Sequence, residues 1–253
     1  MKKRYFIELS FLGKNYHGWQ LQKNAVTVQG TLDNALSLLL NTKIETLGAG
    51  RTDTGVHAKY FVAHFDCDID FDTLQLCYKL NSFLPNDISV KRVFPVQIEA
   101  HSRFDALSRT YQYFICAEKN PFMLDFAAFF FHPLDIKLMN EAARILFDYS
   151  DFTSFSKLHS DTKTNNCKIM KAIWKEQKEG ILVFTIQADR FLRNMVRAIV
   201  GTLLDVGQKK ISLDDFKKII EDKNRCKAGQ SVPPQGLFLT DIEYPDFTMP
   251  NRE

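Results

Sequence analysis

The chain of 253 residues lacks most of what would place it outside the ordinary globular class. No stretch approaches the ~18 unbroken apolar residues that a membrane span needs, so none is expected. The five cysteines (Cys67, Cys77, Cys116, Cys167, Cys226) are odd in number and widely spaced, with no Cys-x-x-Cys. That pattern excludes a disulfide scaffold and a zinc ribbon and points to a reducing compartment. The basic start, Met1 to Arg4, is not followed by an apolar h-region, so no secretory signal is expected and the cytoplasm is the expected location. Tryptophan is scarce, 2 residues against 22 phenylalanines, so the core should be built from Phe. Repeats and low-complexity tracts are missing too. Around residues 96–106 there is no Gly/Pro linker, which predicts two intimately packed halves rather than two beads. Net charge is also small: 33 Lys+Arg against 30 Asp+Glu gives +3.

That total hides a partition. Residues 1–150 carry 16 basic and 16 acidic side chains, residues 151–230 carry 16 and 10, and residues 231–253 carry 1 and 4. Lys157, Lys163, Lys168, Lys171, Lys175 and Lys178 face only Asp161 and Glu176 in their own stretch. Such a stripe fits a polyanion partner and equally a solvated lysine-rich loop.

Periodicity gives an α+β organisation. Strands are predicted at Tyr5–Phe11, Thr46–Ala49, Val62–Phe65, Val90–Phe94, Ser108–Cys116, Lys171–Lys175, Leu182–Gln187 and Leu237–Ile242. Helices are predicted at Val28–Asn41, at Asp72–Leu84 with Leu74, Cys77, Tyr78 and Phe83 at helical spacing, at Lys137–Phe147, at Phe191–Val206, and from Ser212, an N-cap with acids in the first turn. Phe191, Met195, Ile199 and Leu203 are expected in the core.

The run that carries chemistry is Gly48-Ala49-Gly50-Arg51-Thr52-Asp53-Thr54-Gly55-Val56-His57-Ala58. Its glycines let the chain turn sharply and let another molecule approach the backbone. By local pattern alone Asp53 is either a turn former or a displayed carboxylate acting as nucleophile or base beside a cation. His57, His64 and Cys67 fit no common zinc spacing, so no metal is assigned.

The whole run resembles the signature of the TruA family of tRNA pseudouridine synthases. Four other stretches resemble that family in the same order: Tyr16-His17-Gly18-Trp19-Gln20 with Val28-Gln29-Gly30, Ser108-Arg109-Thr110-Tyr111-Gln112-Tyr113, Phe191-Leu192-Arg193-Asn194-Met195-Val196-Arg197, and Pro233-Pro234-Gln235-Gly236-Leu237. The resemblance extends from Tyr5 to Tyr244. It implies a pseudouridine synthase fold, with two similar α/β halves (residues 1–103 and 104–253) sharing a continuous, mostly antiparallel sheet around a central cleft. It implies a cofactor-free isomerase, a homodimer, and uridines 38, 39 and 40 of the tRNA anticodon stem-loop as targets.

The chemistry so implied matches the residue types. The uridine must leave the stack before its N1–C1′ bond can break. By correspondence Asp53 is the nucleophile, adding to the base or to the ribose. Arg197 is the cation that pairs with it and keeps it ionised under bound RNA. Tyr111 is the ring that stacks on uracil and takes part in removing the C5 proton. Arg51 is a candidate to fill the space the flipped base leaves, because its guanidinium is flat. His57 either supports the loop or contacts phosphate. Arg193 is expected to project from the same helix face as Arg197, four residues on. Leu237 is expected to pack under the aspartate, Trp19 to anchor its loop, and Lys168 and Lys171 to meet RNA. Two positions depart from the family pattern: Thr54, where alanine is common, and Asp189-Arg190, where glycine is. The competing readings are a hydrolase that releases the base and a non-catalytic tRNA-binding module.

Overall fold

The computed structural model describes residues 2–157, 164–177, 180–246 and 248–249. Among these the chain is α+β, with nine strands and five α-helices, as the mixed periodicities predict. It divides into two compact units, Met1–Ser108 with Leu239–Glu253, and Arg109–Phe238. The chain leaves the first unit within strand β5 (Ser108–Cys116) and returns to it within β9 (Leu237–Glu243).

In the first unit β1 (Lys3–Phe11) lies between β3 (His57–Cys67) and β4 (Ile88–Val96), antiparallel to both. The short β2 (Leu47–Gly48) pairs with β3 at His64 and Ala63. Tyr5 to Leu9 are all buried, which is why this strand lacks clean alternation. Glu8 lies inside that run. Its carboxylate accepts two hydrogen bonds from Arg92, both 2.8 Å, and one from the Tyr60 hydroxyl at 2.8 Å, and so the buried charge is paired. Strand β3 is much longer than the predicted Val62–Phe65. Its flanks carry His57, Lys59, Tyr60 and Asp66, which obscure the apolar pattern.

Helix α1 (Val28–Leu40) is capped by Thr27, whose Oγ1 accepts from Gly30 N–H, and ends on Asn41 at φ +49°. Helix α2 (Thr73–Phe83) begins on Asp72, whose carboxylate accepts from Gln75 N–H, and packs on β4. Its buried side chains are Leu76 and Leu80. The helix predicted from the spacing of Leu74, Cys77, Tyr78 and Phe83 is present, but Leu74 and Tyr78 are 81% and 74% exposed. Apolar residues occur on both sides of this helix, and the spacing 74/78 satisfies helical periodicity as well as 76/80 does.

In the second unit β5 pairs antiparallel with β8 (Ile181–Ala188), β8 antiparallel with β7 (Ile169–Glu176), and β5 parallel with β6 (Ala128–Phe129). Helix α3 (Ile136–Ile145) packs on β7 and on α4 (Met195–Gly207), and α5 (Leu213–Glu221) packs on both helices. Ser212 caps α5 in a reciprocal pair with Asp215, as its position suggests. Helix α4 starts four residues later than predicted. Asn194 adopts φ +66°, a left-handed conformation, and precedes the first helical residue. Asn tolerates that region and ends the helix pattern there.

The core is phenylalanine-rich as expected. Phe6, Phe61, Phe65, Phe152, Phe155, Phe184 and Phe216 are fully buried, and both tryptophans are buried beside such rings. Each ring contributes about 1.5–3 kcal/mol through the area it removes from water.

Candidate active site

The Asp53 loop is held by backbone groups and two glycines. After β2 the chain runs through Ala49, whose N–H bonds Val62 O at 2.8 Å, and turns at residues 53–56, where Val56 N–H bonds Asp53 O at 3.2 Å. Gly55 in that turn has φ +79°. The segment 13–19 lies against it. Trp19 N–H donates to Thr52 Oγ1 at 3.0 Å, Gly55 N–H donates to Tyr16 O at 3.3 Å, and Gly13 N–H donates to His57 Nδ1 at 2.9 Å. A Cβ at Gly13 would run into the carbonyl of Val56, and one at Gly18 into the carbonyl of Thr52. Trp19 anchors this segment, stacked on Phe61 with centroids 4.2 Å apart and set over Gly48, where a side chain would strike the indole. Tyr16 adds a hydroxyl bond to Asp87 at 2.6 Å.

This frame presents Asp53 half-buried and Arg51 exposed at the loop surface. His57 goes the other way. It is 1% exposed, and its Nδ1 accepts the Gly13 N–H, so of the two roles open to it the support of the loop is the one its position serves. The imidazole needs no charge for that bond.

In the second unit, Tyr111 sits in β5 opposite Ile186 of β8. It is half-buried, with its ring edge-to-face against Phe191 at 5.2 Å and 89°. Phe191 is itself only half-buried, so the expectation of a core residue is too strong; it buttresses the tyrosine. Arg197 lies in the first turn of α4. Its Nε donates to Val232 O at 2.7 Å, and Val232 N–H donates back to Arg197 O at 3.2 Å. The segment 228–232 is pressed along α4: Gly229 N–H bonds Thr202 Oγ1 at 2.9 Å, and Gly201 leaves room only for the carbonyl of Gln230. Asn194 Nδ2 and Arg225 both donate to Ser231 Oγ, at 2.6 and 2.8 Å. These contacts fix the arginine's stem.

Arg193 is not on the helix. It precedes the left-handed Asn194 and is exposed, with its carbonyl accepting from Lys157 N–H at 3.1 Å. The expected shared face with Arg197 is therefore corrected: the two arginines project from different local structures. Leu237 is buried at the start of β9, just after Gly236, which approaches the backbone of Phe114 and the ring of Tyr113 too closely for a side chain. Tyr113 is fully buried, its hydroxyl donates to Pro233 O at 2.8 Å, and burial pushes its pKa up.

Lys168 and Lys171 are exposed at the start of β7, and Lys157 and Lys175 are exposed as well. Lys163 and Lys178 lie outside the described residues. The Asp189-Arg190 departure has a local explanation. Asp189 Oδ1 accepts from the N–H groups of Lys168 and Arg190, both at 2.7 Å, and Arg109 donates to Asp189 O at 2.9 Å. The carboxylate thereby ties the ends of β7 and β8 together. The sequence does not reveal the contributions of Thr52 Oγ1 and Val232, because they pass through partners distant in sequence. Among the described residues no group of three or more His, Cys, Asp or Glu could hold a metal, all five cysteines are free, and no helix is long and apolar enough to cross a membrane.

A model of the tRNA pseudouridine synthase family matches residues 142–245. Over 244 residues the chain is 57% identical to tRNA pseudouridine synthase A of Bacteroides fragilis, covering 96% of this chain and 97% of that one. It is 53% identical over 249 residues to the Parabacteroides distasonis protein of the same name, covering 98% of each. At greater distance it is 41% identical over 240 residues to the protein of that name from a Thermoanaerobacter species, covering 94% of this chain and 98% of the relative. With identity at this level along nearly its whole length, the chain belongs to the tRNA pseudouridine synthase A family.

Proposed function

We propose that this chain isomerises uridine to pseudouridine in the anticodon stem-loop of tRNA, at positions 38, 39 and 40, as a cytoplasmic homodimer that uses no cofactor. The observation that carries the reading is the braced loop presenting a half-buried aspartate, in a chain related end to end to proteins named tRNA pseudouridine synthase A.

Asp53 adds covalently to the flipped nucleotide, at the base or the ribose, as the N1–C1′ bond breaks. The uracil turns, the C5–C1′ bond forms, the C5 proton leaves, N1 gains a proton, and the carboxylate is released unchanged. A ring held edge-on, as Phe191 holds Tyr111, suits stacking on uracil and removal of that proton. Arg197, with its stem tied to Val232, supplies a fixed cation for the carboxylate and the charge that develops on the substrate. Arg51, exposed beside Asp53, suits occupation of the vacated stack. Arg193, Lys168 and Lys171 serve the phosphates, and Leu237 packs beneath the reacting residues. Binding led by phosphate and shape accommodates several neighbouring uridines.

The test is tritium release from tRNA labelled at uracil C5, with wild type and Asp53→Asn. Release by wild type with no loss of tRNA mass, and a fall of at least about 10³-fold in the variant, is the expected result. Base loss instead of isomerisation identifies a hydrolase; undiminished release by Asp53→Asn overturns the assignment of the nucleophile. Reversal of charge at Lys168 and Lys171 is expected to weaken tRNA binding at low salt.

A further inference from the structure

Residues 101–105 form a tight turn in the first unit that none of the roles above uses. His101 N–H donates to Asp105 Oδ2 at 2.8 Å, and Asp105 N–H returns a bond to His101 O at 3.1 Å. His101 Nδ1 accepts from the N–H groups of Arg103 and Phe104, at 3.1 and 3.2 Å. Four bonds within five residues fix this backbone. The turn is also fastened from below. Ser102 is buried; its Oγ donates to Leu47 O at 2.7 Å, its N–H donates to His64 Nδ1 at 3.2 Å, and its carbonyl accepts from the Tyr244 hydroxyl.

What the turn displays is a phenylalanine. Phe104 is 75% exposed. Its ring rests on the His101 imidazole, centroids 4.2 Å apart, and the Arg103 guanidinium carbon lies 5.8 Å from its centre. Burying such a ring contributes about 1.5–3 kcal/mol, so its exposure on an ordered turn forgoes stability that folding alone would favour.

The turn is also placed close to the chemistry along the chain. Leu47 pairs with His64 in the sheet, and the His64 ring meets His101 edge-on at 4.7 Å. Phe6, His64, His101 and Phe104 thus form a continuous series of ring contacts. Leu47 begins the segment that leads to Asp53, and six residues span at most about 20 Å. The ring is therefore anchored to the root of the Asp53 loop.

A flat apolar ring with a guanidinium beside it matches one ligand chemistry well: an unstacked nucleobase and the phosphate attached to it. We propose that Phe104 stacks on an unpaired base of the bound RNA and that Arg103 meets the adjoining phosphate, so that the turn positions the substrate relative to the Asp53 loop. This rests on the reading of tRNA as the substrate.

The test uses the full-length protein with Phe104→Ala, Phe104→Trp and Arg103→Ala. Affinity for unmodified tRNA is measured by filter binding at several salt concentrations, together with the single-turnover isomerisation rate at saturating enzyme, the thermal midpoint and light scattering. Phe104→Ala is expected to weaken binding by about tenfold or more, whereas Phe104→Trp retains it, since stacking on an aromatic tolerates any base. Arg103→Ala is expected to lower the slope of log affinity against log salt by about 0.7–0.9. Thermal midpoints stay at wild-type values, while the saturated rate falls in Phe104→Ala and is kept in Phe104→Trp. Equal tRNA affinity of Phe104→Ala and an active wild type overturns this proposal alone. So does a change of oligomeric state in Phe104→Ala at unchanged affinity, which would make the ring a contact between copies. A wild type that isomerises no tRNA overturns the functional reading and this proposal with it.

Discussion

No side chain fits between Gly18 and the carbonyl oxygen of Thr52, the residue before the proposed nucleophile. Gly18 also has φ +83°, so alanine there meets two penalties, the left-handed backbone at ~1–2 kcal/mol and the collision with Thr52. Gly18→Ala is expected to move the loop that carries Asp53 while leaving Arg193, Lys168 and Lys171 in place. Single-turnover pseudouridine formation should fall about 100-fold, the scale set by misplacing a reacting group by about 1 Å. tRNA affinity should change little.

His57 offers a test that separates support from contact. Its Nδ1 satisfies a buried N–H at Gly13. Asparagine can place an oxygen near the same point, and leucine cannot. His57→Leu is expected to destabilise the fold by about 1–3 kcal/mol, the cost of an orphaned buried donor, and His57→Asn by much less. Urea denaturation reads the difference. A phosphate-contacting histidine would instead show the loss in tRNA affinity, equally for both variants.

Gly201 governs the stem of Arg197 from a distance. A Cβ there collides with Gln230 O, two residues from the carbonyl that accepts the Arg197 Nε–H. Gly201→Ala should therefore push segment 228–232 off α4, cost about 1–3 kcal/mol as an overpacked site, and lower the isomerisation rate although no reacting residue has changed. Thermal unfolding and single-turnover kinetics check the two halves of that statement.

Acid should weaken the first unit through His64. It is 6% exposed; burial first, then the Arg4 and His101 charges, bring its pKa down to about 4. His101 shifts in the same direction, mainly by burial. The folded state thus binds fewer protons than the unfolded state between pH ~6.5 and ~4. Stability is complete above that window and falls as pH drops through it, by up to about 3 kcal/mol from His64. His64→Asn keeps an acceptor for Ser102 N–H and removes the titration. Denaturation at pH 7 and pH 5 should show a smaller difference in the variant than in wild type.

Much of this fold is legible in the sequence because its elements carry strong local signals. Ser212 with Asp215 opens α5 through the cap the side chains dictate, and Ser108–Cys116 is a strand of β-forming residues with the predicted bounds. Legibility fails where two patterns compete. Helix α2 has apolar residues on both sides, and only packing on β4 selects Leu76 and Leu80 over Leu74 and Tyr78. In α4 the apolar spacing runs back to Phe191, but the conformation of Asn194 overrides it and takes Arg193 off the helix. Strand β3 is longer than its apolar centre because pairing with β1, not side-chain pattern, carries its ends. Of the residues proposed to react, Asp53, Tyr111 and Arg197 stand out by motif. The supporting contacts do not, since Thr52 acts through its hydroxyl, Val232 through its carbonyl and Phe191 through its ring edge, and no linear pattern encodes those partners.

Main-chain N–H groups of segment 13–19 and of the Asp53 loop make the contacts that join the two, and glycines at 13 and 18 leave room for the loop's carbonyls. The shape of the loop is therefore written in positions where atoms are missing. Arg51 and Thr54 are exposed on that loop, and a redesigned substrate preference can be sought there without rebuilding the scaffold that holds the proposed nucleophile.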